Sequence, residues 1–306
     1  IVGMFPYLMW GGEFTPINAW FESVSGFTTT GASILNNIEA LPRGLLFWRM
    51  VTSWVGGIGV VMFALVILPS IGKSKMMLSH FELSSLAKDN FNLYRTPTVV
   101  RIILSVYIGL TIVSILVLKL CGMNWFDSVC HAMSACSTCG FSTKNLSIGW
   151  FNSATIEMVL VVIMIISGIH FGLIFATLTR KRNNIFRSET TRTYFSVIAI
   201  SALIIGISLW AADIYPSLFG SLRSALFHTV SLITTTGFAT TDCNTWTSVA
   251  ILILMFCSFV CACAGSTSGG LKMDRLLVAV KMLRNRLRSQ QHPNAIFRTK
   301  VDGIPQ

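Results

Sequence analysis

Five stretches of this 306-residue chain contain no Asp, Glu, Lys or Arg: 50–72, 102–118, 158–179, 193–212 and 243–271. They are 23, 17, 22, 20 and 29 residues long and mostly apolar, and about 20 such residues cross the hydrocarbon core of a bilayer as a helix. Only 11% of the chain is charged, against roughly 25% in soluble domains, and mean hydropathy is +0.69. A water-soluble globule is excluded. The sequence predicts an all-α integral membrane protein with five candidate spans. No charged region precedes an apolar core at the start, so nothing resembles a signal peptide, and the first span is expected to serve as its own insertion signal.

The formal charge of +11 raises nucleic-acid binding in a soluble protein and topology in a membrane protein. Distribution decides. Lys73 to Arg101 holds five basic residues, Arg180 to Arg192 five and Lys272 to Lys300 eight, which is 18 of 23. Arg43, Arg49, Lys119, Lys144 and Arg223 fall in the intervening stretches with seven of the twelve acids. The first set is predicted cytoplasmic and the second external. Nucleic acid is excluded as a partner, because basic residues here flank apolar runs instead of covering one polar face. The partner is the lipid bilayer of the cytoplasmic membrane. The eight cysteines, the Cys136-x-x-Cys139 pair included, read as small apolar side chains in membrane packing, with no disulfide framework and no metal site.

Self-comparison finds a repeat. Aligning on Gly31, Gly140 and Gly237 superposes segments 21–31, 130–140 and 227–237 without gaps. Six residues before each glycine stands Ser25, Ser134 or Ser231, two before stands Thr29, Thr138 or Thr235, and five after stands Asn36, Asn145 or Asp242. The unit recurs after 109 and 97 residues. Each glycine segment is too short to span a bilayer and too apolar for water, as a re-entrant loop between two spans requires. Three units are predicted, 1–96, 97–192 and 193–306. Their pore loops lie at 15–40, 124–146 and 219–244, with a second span over 45–72, a broken span over 247–283 and a cytoplasmic tail. Residues 1–10 are expected to be the outer stub of a first span. One further step of about 100 residues falls near residue 337, so a fourfold repeat predicts one more unit than this chain holds, and three units alone are not expected to conduct.

A dehydrated cation needs its water replaced, and a ring of backbone carbonyls does this without full charges. Glycine reaches the φ > 0 conformations that turn successive carbonyls inward, and threonine hydroxyls face the cavity or hold the strand from behind. The ten or so residues before each glycine read as a short pore helix with its negative end toward the ions. The ion-binding filter residues are therefore Thr29, Thr30, Gly31, Thr138, Cys139, Gly140, Thr235, Thr236 and Gly237. Acids on the predicted outer side (Glu13, Glu22, Glu39, Asp127, Asp213, Asp242) are expected to concentrate cations at a mouth or to be solvated.

These residues carry a resemblance. Ser25-Gly-Phe-Thr-Thr-Thr-Gly-Ala-Ser33, Cys139-Gly-Phe-Ser-Thr143 and Thr235-Thr-Gly-Phe-Ala-Thr-Thr-Asp242 resemble the first three filters of the Trk/Ktr/HKT superfamily of potassium transporters, most closely the bacterial Trk type. Cys263-Ala-Gly-Ser-Thr-Ser-Gly-Gly-Leu-Lys272 is similar to that family's intramembrane loop, and the similarity extends through His292-Pro-Asn-Ala295. The resemblance implies four units around one pseudo-fourfold pore, homodimers, and a cytoplasmic ring of nucleotide-binding regulatory subunits. It also implies potassium selectivity from glycine at the first filter. Cys139 departs from the family's usual small or apolar residue, harmlessly if its carbonyl coordinates.

Gly265, Ser266, Thr267, Ser268, Gly269 and Gly270 are poor helix formers, and the helix is expected to break there into a gate loop under the filter. A phosphate-binding loop is excluded, since Leu271 and Met273 spoil the Gly-Lys-Ser/Thr ending. Lys272 reads as a snorkelling anchor or as an electrostatic rate setter beneath the pore. His170 reads as a hydrogen-bonded core residue. The sequence thus predicts potassium ion uptake with no catalytic residues and no cofactor beyond the transported K⁺. Two alternatives are an intramembrane hydrolase using Ser266, Thr267 or Ser268 with His170, and a non-conducting partner subunit.

Overall fold

The computed structural model describes residues 2–62, 96–179, 185–291, 300–301 and 304–305. Its helices are α1 Phe5–Trp10, α2 Pro16–Phe27, α3 Arg43–Met62, α4 Thr96–Leu120, α5 Trp125–Ser137, α6 Ala154–Ser167, α7 Phe171–Leu178, α8 Glu189–Ala211, α9 Leu218–Ile233, α10 Ser248–Phe259 and α11 Met273–Gln291. Helix α3, the Val100–Leu120 part of α4, and α8 are long and apolar enough to cross a bilayer, with mean hydropathies of 1.5, 2.4 and 2.1. They are lined with Val, Ile and Leu, which in lipid need no polar partners, while the backbone groups between the terminal turns are satisfied within the helix.

Two of the five predicted spans are not single helices. The run 158–179 divides into α6 and α7, bent by 100° at residues 168–170. The physical reason is capping from both sides: His170 Nδ1 accepts the Gly172 amide at 2.9 Å, and Cys263 N donates to Gly168 O at 3.1 Å. The run 243–271 breaks earlier than its glycines suggest, at Phe259. Val260–Cys261 then forms a short parallel pairing with Leu271–Lys272, which takes main-chain groups that a continuing helix would use. The parts of the sequence prediction that fall on 63–95 (including the basic stretch from Lys73), 180–184 and His292 to Ala295 lie outside the described residues.

Three short helices, α2, α5 and α9, stand between the longer ones. Each starts at a side-chain cap that holds an otherwise orphaned amide. Thr15 Oγ1 accepts from Asn18 N at 3.3 Å, Asn124 Oδ1 from Asp127 N at 2.8 Å, and Ser217 Oγ from Gly220 N at 3.1 Å. Helix α2 packs on α3, α5 on α3 and α4, and α9 on α8. The core between them is built from large apolar side chains, among them Tyr107, Leu160, Met164, Phe171, Tyr194 and Phe227. This packing brings the C-terminal ends of α2, α5 and α9, and the glycine turns that follow, next to one another.

Candidate functional site

The three aligned segments have one backbone conformation. Thr29, Thr138 and Thr235 stand at φ 55°, 55° and 56°, and Gly31, Gly140 and Gly237 at φ 74°, 83° and 84°. A β-branched residue in the left-handed region is strained, and such strain persists only where its surroundings over-determine it. Here matched hydrogen bonds do so. Thr29 N, Thr138 N and Thr235 N donate to Gly26 O, Ala135 O and Leu232 O at 2.9, 3.2 and 2.9 Å. The next amides, of Thr30, Cys139 and Thr236, reach Ser25 O, Ser134 O and Ser231 O at 3.0, 3.1 and 2.8 Å. Each short helix thus closes by wrapping its last carbonyls, as helix C-termini commonly do.

Behind the first and third turns the serine column ties helix to returning strand. Ser25 Oγ donates to Ala32 O at 2.6 Å and Ser231 Oγ to Phe238 O at 2.7 Å. Hydroxyl pairs Thr28–Thr30 and Thr234–Thr236, both at 2.8 Å, stiffen the first and third turns. In the second, Cys139 replaces the threonine. Its thiol is buried with Met50, Cys130, Met133 and Phe141, while its carbonyl faces Gly31.

The turns nest in order. A Cβ built on Gly31 would collide with the carbonyl oxygen of Cys139, and one built on Gly140 with that of Thr236. On Gly237 it would meet nothing within 4 Å. Only glycine, with no Cβ and an accessible positive φ, permits this approach.

A second layer of polar groups was not legible as a site from the sequence. Nine residues before each glycine stand Glu22, His131 and His228, and two after stand Ser33, Ser142 and Ala239. Ser33 Oγ donates to Glu22 Oε1 at 2.6 Å, and His131 Nε2 pairs with Ser142 Oγ at 3.0 Å. Arg49 closes the first brace: its Nη2 lies 2.9 Å from Glu22 Oε1 and 3.1 Å from Ser33 Oγ, and the guanidinium sits 4.1 Å from the centre of the Phe141 ring. Both members of the ion pair are fully buried. This corrects the expectation for Glu22, which faces neither a mouth nor solvent. Asp127 is likewise buried, held by Thr143 Oγ1 at 2.6 Å and Asn124 Nδ2 at 2.7 Å.

The loop Gly265–Gly270 folds in against the turns. Ser266, Thr267 and Ser268 are all buried. Thr267 Oγ1 donates to Cys136 O at 3.0 Å and to Ser167 O at 3.5 Å, and Gly269 N donates to Thr235 Oγ1 at 2.8 Å. Lys272 Nζ turns back onto the loop, donating to Ser268 O and, at 3.4 Å, to Ser268 Oγ, which is a different placement from a snorkelling anchor. Gly265 O accepts from Phe171 N at 3.3 Å, so the two interrupted helices complete one another's hydrogen bonds. Among the described residues no cluster of His, Cys, Asp and Glu can hold a metal ion.

Known proteins resemble this chain over nearly all of its length. The Trk system potassium uptake protein TrkH of Halomonas elongata is 35% identical over 100% of this chain, and its namesake from Escherichia coli K12 is 34% identical over 98%. The chain spans 65% and 62% of the lengths of those two relatives. The crystal structure of the potassium transporter TrkH from Vibrio parahaemolyticus superposes with a TM-score of 0.84 at 31% identity, covering 96% of this chain and 60% of that one. The family described as "TrkH: Cation transport protein" matches residues 4–208 and 215–304. By a match that takes in nearly all of its length, the chain belongs to the TrkH family of cation transport proteins.

Proposed function

We propose that the chain forms three quarters of a potassium-selective pore in the bacterial cytoplasmic membrane and serves K⁺ uptake. The observation that carries the reading is the nesting of Gly31 against Cys139 O and of Gly140 against Thr236 O, at one shared backbone conformation. Carbonyls brought together in this way substitute for an ion's hydration shell. The filter is Thr29, Thr30, Gly31, Thr138, Cys139, Gly140, Thr235, Thr236 and Gly237, and the open side of Gly237 receives a fourth equivalent turn in a pseudo-fourfold ring. The units are 1–96, 97–192 and 193–306. Loop 265–270, tied to Thr235 and Cys136 and carrying the Lys272 ammonium, is the gate. Potassium uptake is also the role named for the relatives from Halomonas elongata and Escherichia coli. Homodimerisation and a cytoplasmic nucleotide-binding regulatory subunit follow from the family resemblance.

The hydrolase alternative is disfavoured by where the hydroxyls point. Ser266 Oγ donates to Cys263 O at 2.7 Å, Thr267 Oγ1 to Cys136 O, and His170 Nδ1 is taken up by Gly172 N. None of these is the nucleophile-to-base contact that acyl transfer needs.

The test is ⁸⁶Rb⁺ uptake in transport-deficient cells expressing the chain with the flanking sequence of its reading frame. Uptake above the vector control is expected, with Gly31→Ser lowering the K⁺/Na⁺ ratio, because its side chain intrudes on the Cys139 carbonyl. An unchanged ratio in that variant would overturn the filter assignment.

A further inference from the structure

The brace between helix and strand is complete in the first turn (Glu22–Ser33) and the second (His131–Ser142) but not in the third, where Ala239 has no hydroxyl. His228 Nε2 consequently holds no hydrogen-bonding side chain and faces the main chain of Thr241, although the residue is buried. The third strand is instead gripped at the same place from the neighbouring unit. Ala239 N donates to Ser147 Oγ at 3.3 Å, and Ala239 O accepts from Ile148 N at 3.1 Å and Gly149 N at 3.2 Å. Two details mark this grip as built for its purpose. Ser147 sits at φ 52°, a conformation that costs a residue with a Cβ and that glycine would adopt freely, so the serine keeps a strained place where its hydroxyl is used. Gly149 approaches so closely that a Cβ on it would collide with Thr240 O.

We propose that Ser147 and Gly149 are positioning residues for the third filter turn, replacing from the second unit the brace that His228 and Ala239 do not form. The proposal rests on the pore reading above for its effect on selectivity, but its structural content stands apart from it. It makes the third turn draw from its neighbour the brace that the first two draw from their own helices.

The experiment compares Ser147→Ala, Ala239→Ser and the double variant in the chain expressed with its flanking sequence. Two readouts are taken: the K⁺/Na⁺ uptake ratio in cells, and amide hydrogen exchange of peptides covering 138–142 and 235–242 in the purified protein. Ser147→Ala is expected to speed exchange in 235–242 about tenfold, leave 138–142 unchanged and lower the ratio several-fold. Ala239→Ser, placing a hydroxyl opposite His228 as Ser142 lies opposite His131, is expected to restore both in the Ser147→Ala background. Exchange unaltered by Ser147→Ala, or failure of Ala239→Ser to restore it, overturns the proposal. If no variant and not even the parent protein transports K⁺, the pore reading fails, and hydrogen exchange still decides whether Ser147 positions the turn.

Discussion

Arg49 and Glu22 have both left water, and at 2.9 Å each is the other's counter-ion. Desolvating two charges is costly, and a pair in a low-dielectric interior recovers that cost only through close geometry and further hydrogen bonds. Ser33 and the face of Phe141 supply those, joining α2, α3 and the strands after the first two glycines. Removing one partner leaves a buried charge with nothing opposite. Arg49→Met is expected to cost about 3–5 kcal/mol, seen as a large drop in melting temperature in detergent. Arg49→Met combined with Glu22→Met is expected to recover most of that loss. If the double variant melts no higher than the single one, the pair is not the source of the cost. The sequence reads Glu22 as an outer acid at a mouth or in solvent and Arg49 as one of the external basic residues, because nothing in linear spacing says that a residue of α2 and one of α3, 27 positions apart, face one another. The column of Glu22, His131 and His228 is present in the alignment, but it names no partner for any of them, so the brace was not legible from it.

Among elements, the runs 102–118 and 193–212 lie almost wholly within α4 and α8, and the described part of the run 50–72 lies within α3, since a length of about 20 mostly apolar residues is a condition that lipid itself imposes. The runs 158–179 and 243–271 met the same condition and are nevertheless interrupted. The glycines of 265–270 announce the second interruption but not its start at Phe259, and composition does not mark the first, because the interruptions are stabilised by each other: Gly168 O and Gly265 O take amides from Cys263 and Phe171, across about a hundred residues of sequence. The loop that results is latched at Thr267. Losing the Oγ1 hydrogen bond, shared between Cys136 O at 3.0 Å and the more distant Ser167 O at 3.5 Å, removes about 1 kcal/mol and favours an undocked loop. If this loop obstructs the pathway, Thr267→Val raises ⁸⁶Rb⁺ flux several-fold at equal expression. Flux that is unchanged or reduced would show that the latch does not limit transport.

For the whole molecule, the order of the turns has a consequence. Gly140→Ala drives a methyl into Thr236 O, whereas at Gly237 the same change meets nothing within 4 Å among the described residues, so that Gly237→Ala costs only the roughly 1–2 kcal/mol of a positive φ and Gly140→Ala costs the collision as well. In a protein where a fourth turn seats against Gly237, the two substitutions should damage uptake equally. Gly237→Ala with near-normal uptake beside an inactive Gly140→Ala would mean that this side of the ring stays open. The comparison is read from uptake rates normalised to membrane protein.

Sequence alone determined that this is a helical membrane protein and that three glycine turns share one pattern, because hydrocarbon burial and backbone conformation act on each segment locally. Only the tertiary structure decided which carbonyl each glycine admits, where α6 and α10 stop, that Glu22 is buried opposite Arg49, and that the third turn leans on Ser147. Those outcomes depend on atoms brought together from distant segments, and such proximity arises from packing, which no local run of residues encodes.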